Sequence, residues 1–159
     1  MSTPGFPART PKPRRPDLYE VRTTSDMGLG VFAKYNINRG EIIFSERPLL
    51  LGPSWLASVN LHDRYTPAQA RQIMMFENEK VLEVAVQHMN ENNKALYMAL
   101  HNSHTNDGSG PLLGIKRTNG FGTSKLSDGA SALHYSAVCT IGSRLNHRCC
   151  CCFLAFPHK

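Results

Sequence analysis

Two short segments hold the residue types best suited to chemistry. Met27-Gly28-Leu29-Gly30-Val31-Phe32-Ala33 carries a glycine pair ahead of a β-prone run. A residue without a side chain lets bare backbone approach a ligand closely. More than a hundred residues later, Ser143-Arg144-Leu145-Asn146-His147-Arg148-Cys149 sets a side-chain amide beside an imidazole. In this order the two segments are expected to form the two ends of one ligand site. Two other clusters are weaker. His101 and His104 fall in the polar, glycine-containing stretch His101–Gly110 and read as solvated loop histidines, because structural zinc needs four closely arranged donors. Cys149-Cys150-Cys151-Cys152 is an unbroken run beside the isolated Cys139, which is not a disulfide framework, since adjacent side chains diverge too far for good geometry. The Cys149/Cys152 spacing of a half zinc site, acylation, and an aggregation-prone apolar end stay open as readings of that run. No metal site is expected.

The elements that must position these residues follow from pattern. Tyr19-Glu20-Val21-Arg22-Thr23 alternates apolar and polar residues and predicts a half-buried strand, with Thr24-Ser25-Asp26 as the turn before the glycines. Further strands are expected at about 30–34 and, after the hairpin signal Asn38-Arg39-Gly40, at 41–46. From Pro48 to Pro53 the pattern changes towards helix. Thr66-Pro67 is a helix-start signal with Ala70, Ile73 and Met74 behind it; a second helix is expected over 78–89, with Val81, Val84, Ala85, His88 and Met89 near one face, and a third over 92–101 burying Leu96, Ala99 and Leu100. From Gly114 the β-like character returns, through 114–121, a loop centred on Ser127-Asp128-Gly129, and 132–141. The expected class is α+β: small β-sheets before Pro48 and after Gly114, with a helical insert between them.

The 159 residues suit one domain with a modest core, and 41% hydrophobic with 19% charged residues fits an ordinary soluble chain. No run of about 18 apolar residues occurs and no apolar secretory core opens the chain, so neither a membrane span nor secretion is expected, and the nucleus or cytoplasm is the default location. The net charge of +6 is uneven: Arg9, Lys12, Arg14 and Arg15 precede any acidic residue, so residues 1–16 carry +4 and the rest only +2. Pro4, Pro7, Pro11, Pro13 and Pro16 lie in the same stretch, and residues 1–17 are expected to form a disordered basic arm, a nuclear address or weak nucleic-acid contact, or a tail without a partner.

Beyond the glycine pair, Ile37, Gly40, Glu41, Ile43, Glu46, Pro48 and Leu49 follow an I-x-x-G-E-x-I-x-x-E-x-P-L pattern, and Ser143–His147 with Cys149 reads S-R-L-N-H-x-C. Together these ordered elements, spanning Tyr19 to Cys149, resemble the SET domain of protein-lysine methyltransferases, in the fungal-type split form with a helical insert. The resemblance implies S-adenosylmethionine as cofactor and a histone or other protein lysine as substrate. It divides the chain into an incomplete SET-like domain over 18–152 (18–52, a helical insert over 53–110, and 111–152) and an atypical tail over 153–159. The backbone of Gly28, Leu29 and Gly30 would hold the amino-acid end of the cofactor. Asn146 would add a polar contact and His147 main-chain contacts to the adenine edge. Thr118-Asn119-Gly120-Phe121 is similar to the family's T-N-x-F element, which makes Asn119 a candidate ligand, although Asn-Gly by itself reads as a turn. Phe121 and Tyr135 are candidate walls or ordinary core residues.

Such chemistry needs a bound sulfonium donor, a neutral amine aligned behind its methyl group and exclusion of water; alignment does much of the work, and the electrophile belongs to the cofactor. Where the family continues N-H-S-C-x-P-N and then supplies a tyrosine at the transfer site, this sequence reads Arg148 and the cysteine run. No residue here inherits the tyrosine's role, so no catalytic residue is assigned, the domain is expected to be incomplete at its C-terminus, and weak or absent activity is expected. The contrasting expectation is a non-enzymatic interaction module that uses the basic arm.

Overall fold

The computed structural model describes residues 12–25, 28–54, 65–123 and 135–145. Helices and small antiparallel sheets are mixed, an α+β architecture. The chain packs as two compact units, one formed by the sequence up to Arg47 together with that from Ile141 onward, the other by Pro48–Thr140. Among the described residues no helix is long and apolar enough to cross a membrane.

The first unit is built on the antiparallel pair β1 (Tyr19–Thr23) and β2 (Leu29–Ala33), in register from Tyr19 opposite Ala33 to Thr23 opposite Leu29. A two-stranded ribbon is marginal without further packing. Leu18, entered just before β1, is wholly buried, and its carbonyl accepts the Lys34 N–H at 2.9 Å, closing the open end. Arg22 lies over the Phe32 ring at 3.9 Å, and Tyr19 meets Phe44 with ring centroids 5.4 Å apart. The strand expected at 41–46 is not formed. Its alternating residues have no ladder partner among the described residues and are used singly: Glu41 holds Arg15, Phe44 packs on Tyr19, and Glu46 reaches residues 141 and 142. Residues 12–17 are placed rather than loose, because the Arg15 guanidinium makes a two-point contact with Glu41, 2.8 and 3.0 Å long, and donates to the Asn36 carbonyl.

The second unit gathers three helices and a three-stranded sheet around one core. The stretch expected to turn helical at Pro48 is instead strand β3 (Leu50–Pro53), which pairs with β5 (Tyr135–Val138); β5 also pairs with β4 (Gly120–Thr123), so β5 is the centre of the order β3-β5-β4. Three consecutive residues of β5, Ser136, Ala137 and Val138, are buried, as a central strand covered on both faces requires. Helix α1 (Pro67–Gln87) opens with a complete capping box between Thr66 and Gln69 and runs through the break expected at Asn78. Asn78 does not cap a new helix there. Its side-chain amide donates to the carbonyl of Met74 one turn back, satisfying itself inside the helix. The buried stripe of α1 is Met75, Glu79, Leu82 and Val86, which leaves Val81 and Val84 exposed, contrary to the expected face. Helix α2 (Glu91–Met98), capped by Asn90, buries Tyr97, and Leu100 follows it into the core; Leu96 is half-buried and Ala99 exposed.

Residues 101–110 form the expected loop, but the β-like stretch expected at 114–121 is helix α3 (Pro111–Asn119) as far as Asn119 and strand only from Gly120. Pro111 sits at its first position, where the missing N–H is harmless, and Lys116 and Arg117 occupy its last turn, favourable to the helix dipole. The core joins Met75, Leu82 and Val86 of α1 to Tyr97, Leu100, Leu112, Leu113, Ile115 and Val138. Glu79 is buried within it and its two oxygens accept the N–H groups of Leu112 (2.8 Å) and Leu113 (2.7 Å), so a carboxylate from α1 caps the N-terminus of α3. The Tyr97 hydroxyl donates to the Leu112 carbonyl at 2.9 Å, fastening α2 to the same turn.

Candidate functional site

In the first unit, Gly28 ends the turn that leads into β2. Its φ of +70° is open to glycine at little cost, and its carbonyl accepts both the N–H (2.6 Å) and the hydroxyl (2.9 Å) of Thr24. A Cβ at Gly28 would meet no atom of the described residues within 4 Å apart from its chain neighbours. Leu29 is exposed, whereas Gly30, opposite Arg22, is the buried residue of β2. Strand β2 packs beside the short 3-10 turn Gly142–Arg144, whose buried residue is Gly142.

That turn is held from the side by Glu46. Its carboxylate accepts the N–H of Ile141 at 2.9 and 3.0 Å and the N–H of Gly142 at 2.5 Å, the two amides that open the turn. Backbone amides at the start of a helical turn lack carbonyl partners, and a carboxylate there is favoured both by hydrogen bonding and by the peptide dipoles. The consequence reaches beyond the turn: the chain entering Ser143-Arg144-Leu145 is fixed beside the glycine-bearing strand. Asn146 and His147, which follow at once, lie outside the described residues.

Asn119 behaves differently. It is buried at the end of α3 in the second unit, and its side-chain amide donates to the carbonyls of His101 (2.7 Å) and Ile115 (2.8 Å). Both N–H donors of the amide are thereby committed to backbone, tying the end of α3 to the start of the 101–110 loop. Phe121 is exposed and Tyr135 half-buried; they lie on β4 and β5, with Phe121 opposite Ala137.

The two histidines of the loop do not converge on a metal site, and among the described residues no group of three or more His, Cys, Asp or Glu side chains could hold an ion. His104 pairs through Nδ1 with Asp107 at 2.8 Å, and Arg117 binds the same carboxylate oxygen and the Ser109 hydroxyl. Desolvation works against the charged Asp107, but hydrogen bonds from Ser109, Arg117 and His104 outweigh it and hold the carboxyl well below its usual range. Of the five cysteines, only Cys139 is among the described residues, and the run 149–152 lies outside them.

Two further features are invisible to motif reading. A cleft of about 450 Å³ in the first unit is lined by Lys12, Arg14, Asn38, Arg39, Gly40 and Glu41, with the arm held over it by the Arg15–Glu41 pair; that pair, together with the Asn38 N–H, holds the Glu41 carboxyl below its ordinary value. A cavity of about 710 Å³ in the second unit is lined in part by the buried Lys116. Lys116 could have been found from sequence: once 111–119 is read as a helix, Leu112, Ile115, Lys116 and Asn119 share one face at i, i+3, i+4, i+7 spacing. Compared with protein-family models, with curated proteins and with solved structures, the chain matches none.

Proposed function

We propose that the chain carries the cofactor-cradling portion of a SET-type protein-lysine methyltransferase that uses S-adenosylmethionine. The observation that carries this reading is the Glu46 clamp. Glu46 belongs to the G-E-x-I-x-x-E segment, and its two oxygens grip the amides that open the turn leading into S-R-L-N-H, beside the strand that holds Gly28–Gly30. Two separated parts of the sequence pattern are therefore tied together by specific hydrogen bonds, and the third, β2, packs beside them in the same unit. In this reading Gly28, without a side chain, and the exposed Leu29 would meet the amino-acid end of a cofactor. Asn146 and His147 would complete the adenine side. Asn119, with its donors used within the second unit, supports α3 rather than the cofactor in this reading.

When bound, the cofactor supplies the electrophilic methyl group; the chain's own residues orient it and limit water. Where the family continues S-C-x-P-N this chain reads Arg148 and the cysteine run, so methylation by it is expected to be weak or absent while binding persists. Isothermal titration with S-adenosylmethionine tests the reading directly. Saturable binding that is competed by S-adenosylhomocysteine is expected, and absence of binding at millimolar cofactor overturns it.

The basic cleft favours a second reading, an interaction module for a polyanion. Lys12, Arg14 and Arg39 converge on one cleft, and Arg15 fixes the arm in place. This reading expects nucleic-acid binding that weakens steeply with added salt and is lost on removal of residues 1–16. Binding unaffected by either change removes it.

A further inference from the structure

Lys116 lies on the buried face of α3 with only 5% of its surface exposed, and its Nζ donates to the Pro53 carbonyl at 2.6 Å. No carboxylate among the described residues pairs with it. Burial pushes the amine below its ordinary value, as expected for an ammonium whose only described partner is a neutral acceptor. Such a group is costly to keep unless something answers its charge.

The space that Lys116 lines has a definite chemical character. Its volume, about 710 Å³, falls within the range of roughly 300–1,000 Å³ typical of small-molecule sites. Ala70, Met74, Met75 and Leu113 form an apolar wall, and Ser54 and Ser136 line the same space as Lys116. The other titratable groups on the wall are differently placed. Arg117 and His104 share the carboxylate of Asp107 and are answered already, whereas Arg71 sits on the exposed side of α1. The buried ammonium is thus the charge on this wall that an entering anion would neutralise while its apolar body covers the methionines.

We infer that this cavity binds a small amphiphile with a carboxylate head and a hydrocarbon body, the carboxylate pairing with Lys116 Nζ. The site lies in the second unit, built from residues other than those of the Glu46 clamp, and stands or falls independently of cofactor binding. A charge-assisted pair in an apolar surrounding gives the anion an advantage that a neutral chain of the same length lacks.

Titration of the full chain with octanoate, octanol and octylamine tests this. Octanoate is expected to bind at least tenfold more tightly than octanol, with octylamine weakest, and Lys116→Met is expected to abolish the preference for octanoate while octanol binding persists. Equal binding of octanoate and octanol, no octanoate binding at millimolar concentration, or an unchanged preference in Lys116→Met overturns the assignment. If Lys116→Met does not fold, the ε-carbon resonance of Lys116 in 13C-lysine-labelled wild type decides the matter. It is expected to move along the octanoate saturation curve, and a stationary resonance at saturation overturns the assignment.

Discussion

At the scale of single residues, two carboxylates do comparable work in the two units, each capping the start of a helical turn from a distant part of the chain. Glu46 holds the amides of Ile141 and Gly142; Glu79 holds those of Leu112 and Leu113. Removing a buried acceptor leaves its donors unsatisfied, which costs about 1–3 kcal/mol per group. Glu46 is only half-buried, so Glu46→Ala is expected to lower thermal stability by the smaller end of that range and, under the proposed cofactor reading, to weaken S-adenosylmethionine binding, with Glu46→Gln in between, as titration and thermal unfolding will show. For Glu79→Ala, with two buried amides orphaned, the expected loss is about 2–4 kcal/mol in urea unfolding. Gly110 depends on the same carboxylate: a Cβ there would stand 2.2 Å from Glu79 Cδ, and the side chain cannot swing away without releasing α3. Gly110→Ala should thus be strongly destabilising in the wild type yet much less so in a Glu79→Ala background, a coupling that a double-mutant cycle measures.

At the scale of elements, α1 shows how tertiary packing chooses a face. Its apolar residues occur around much of the helix, and the sheet and α3 select the stripe through Met75, Leu82 and Val86. Leu82→Ala is expected to cost about 2–5 kcal/mol by opening a cavity, whereas Val81→Ala, on the exposed side, should stay within about 0.5 kcal/mol. The capping box at Thr66 acts locally: Thr66→Ala should cost about 1 kcal/mol. Paired chemical denaturation curves of the three variants distinguish the mechanisms. Helix α3 teaches the opposite lesson to α1. Its sequence contains the β-branched Ile115 and Thr118, which favour a strand, and the mid-helix Gly114, which disfavours a helix, yet a Cβ at Gly114 would stand 2.4 Å from the Asn102 side-chain oxygen, so the glycine serves close packing of the 101–110 loop.

At the scale of the whole molecule, titration should limit stability at both ends of the pH range. Asp107 has its folded carboxyl held below the ordinary value of 3.8, so its contribution is complete above that value and is lost as pH falls below it towards the folded value. Asp107→Asn is expected to flatten the acid limb of the stability curve. Tyr97 runs the other way. Burial, then the nearby Glu79 charge, raises its hydroxyl above the ordinary value of 10.0, so its contribution is complete below pH 10 and is lost as pH rises further. Tyr97→Phe should lower stability at pH 7 and flatten the alkaline limb, both read from urea midpoints across pH.

Local structure was set by residues a few positions apart. The β1–β2 hairpin, the Thr66 helix start and the 101–110 loop follow from alternation, capping and turn residues, because each is decided by neighbours a few positions away. The proximity of the Gly28–Gly30 segment to the one leading to Asn146 was legible as a pattern, but Glu46, which fixes the second of them, was legible only as one position of the I-x-x-G-E-x-I-x-x-E-x-P-L pattern without a task. Long-range packing alone left 41–46 without a ladder partner among the described residues, paired β3 with β5 and set Lys116 on the lining of a cavity. These three outcomes share a cause. A strand needs a ladder partner and a charge needs a counter-charge, and neither partner is near in the sequence; long-range packing supplies or withholds it.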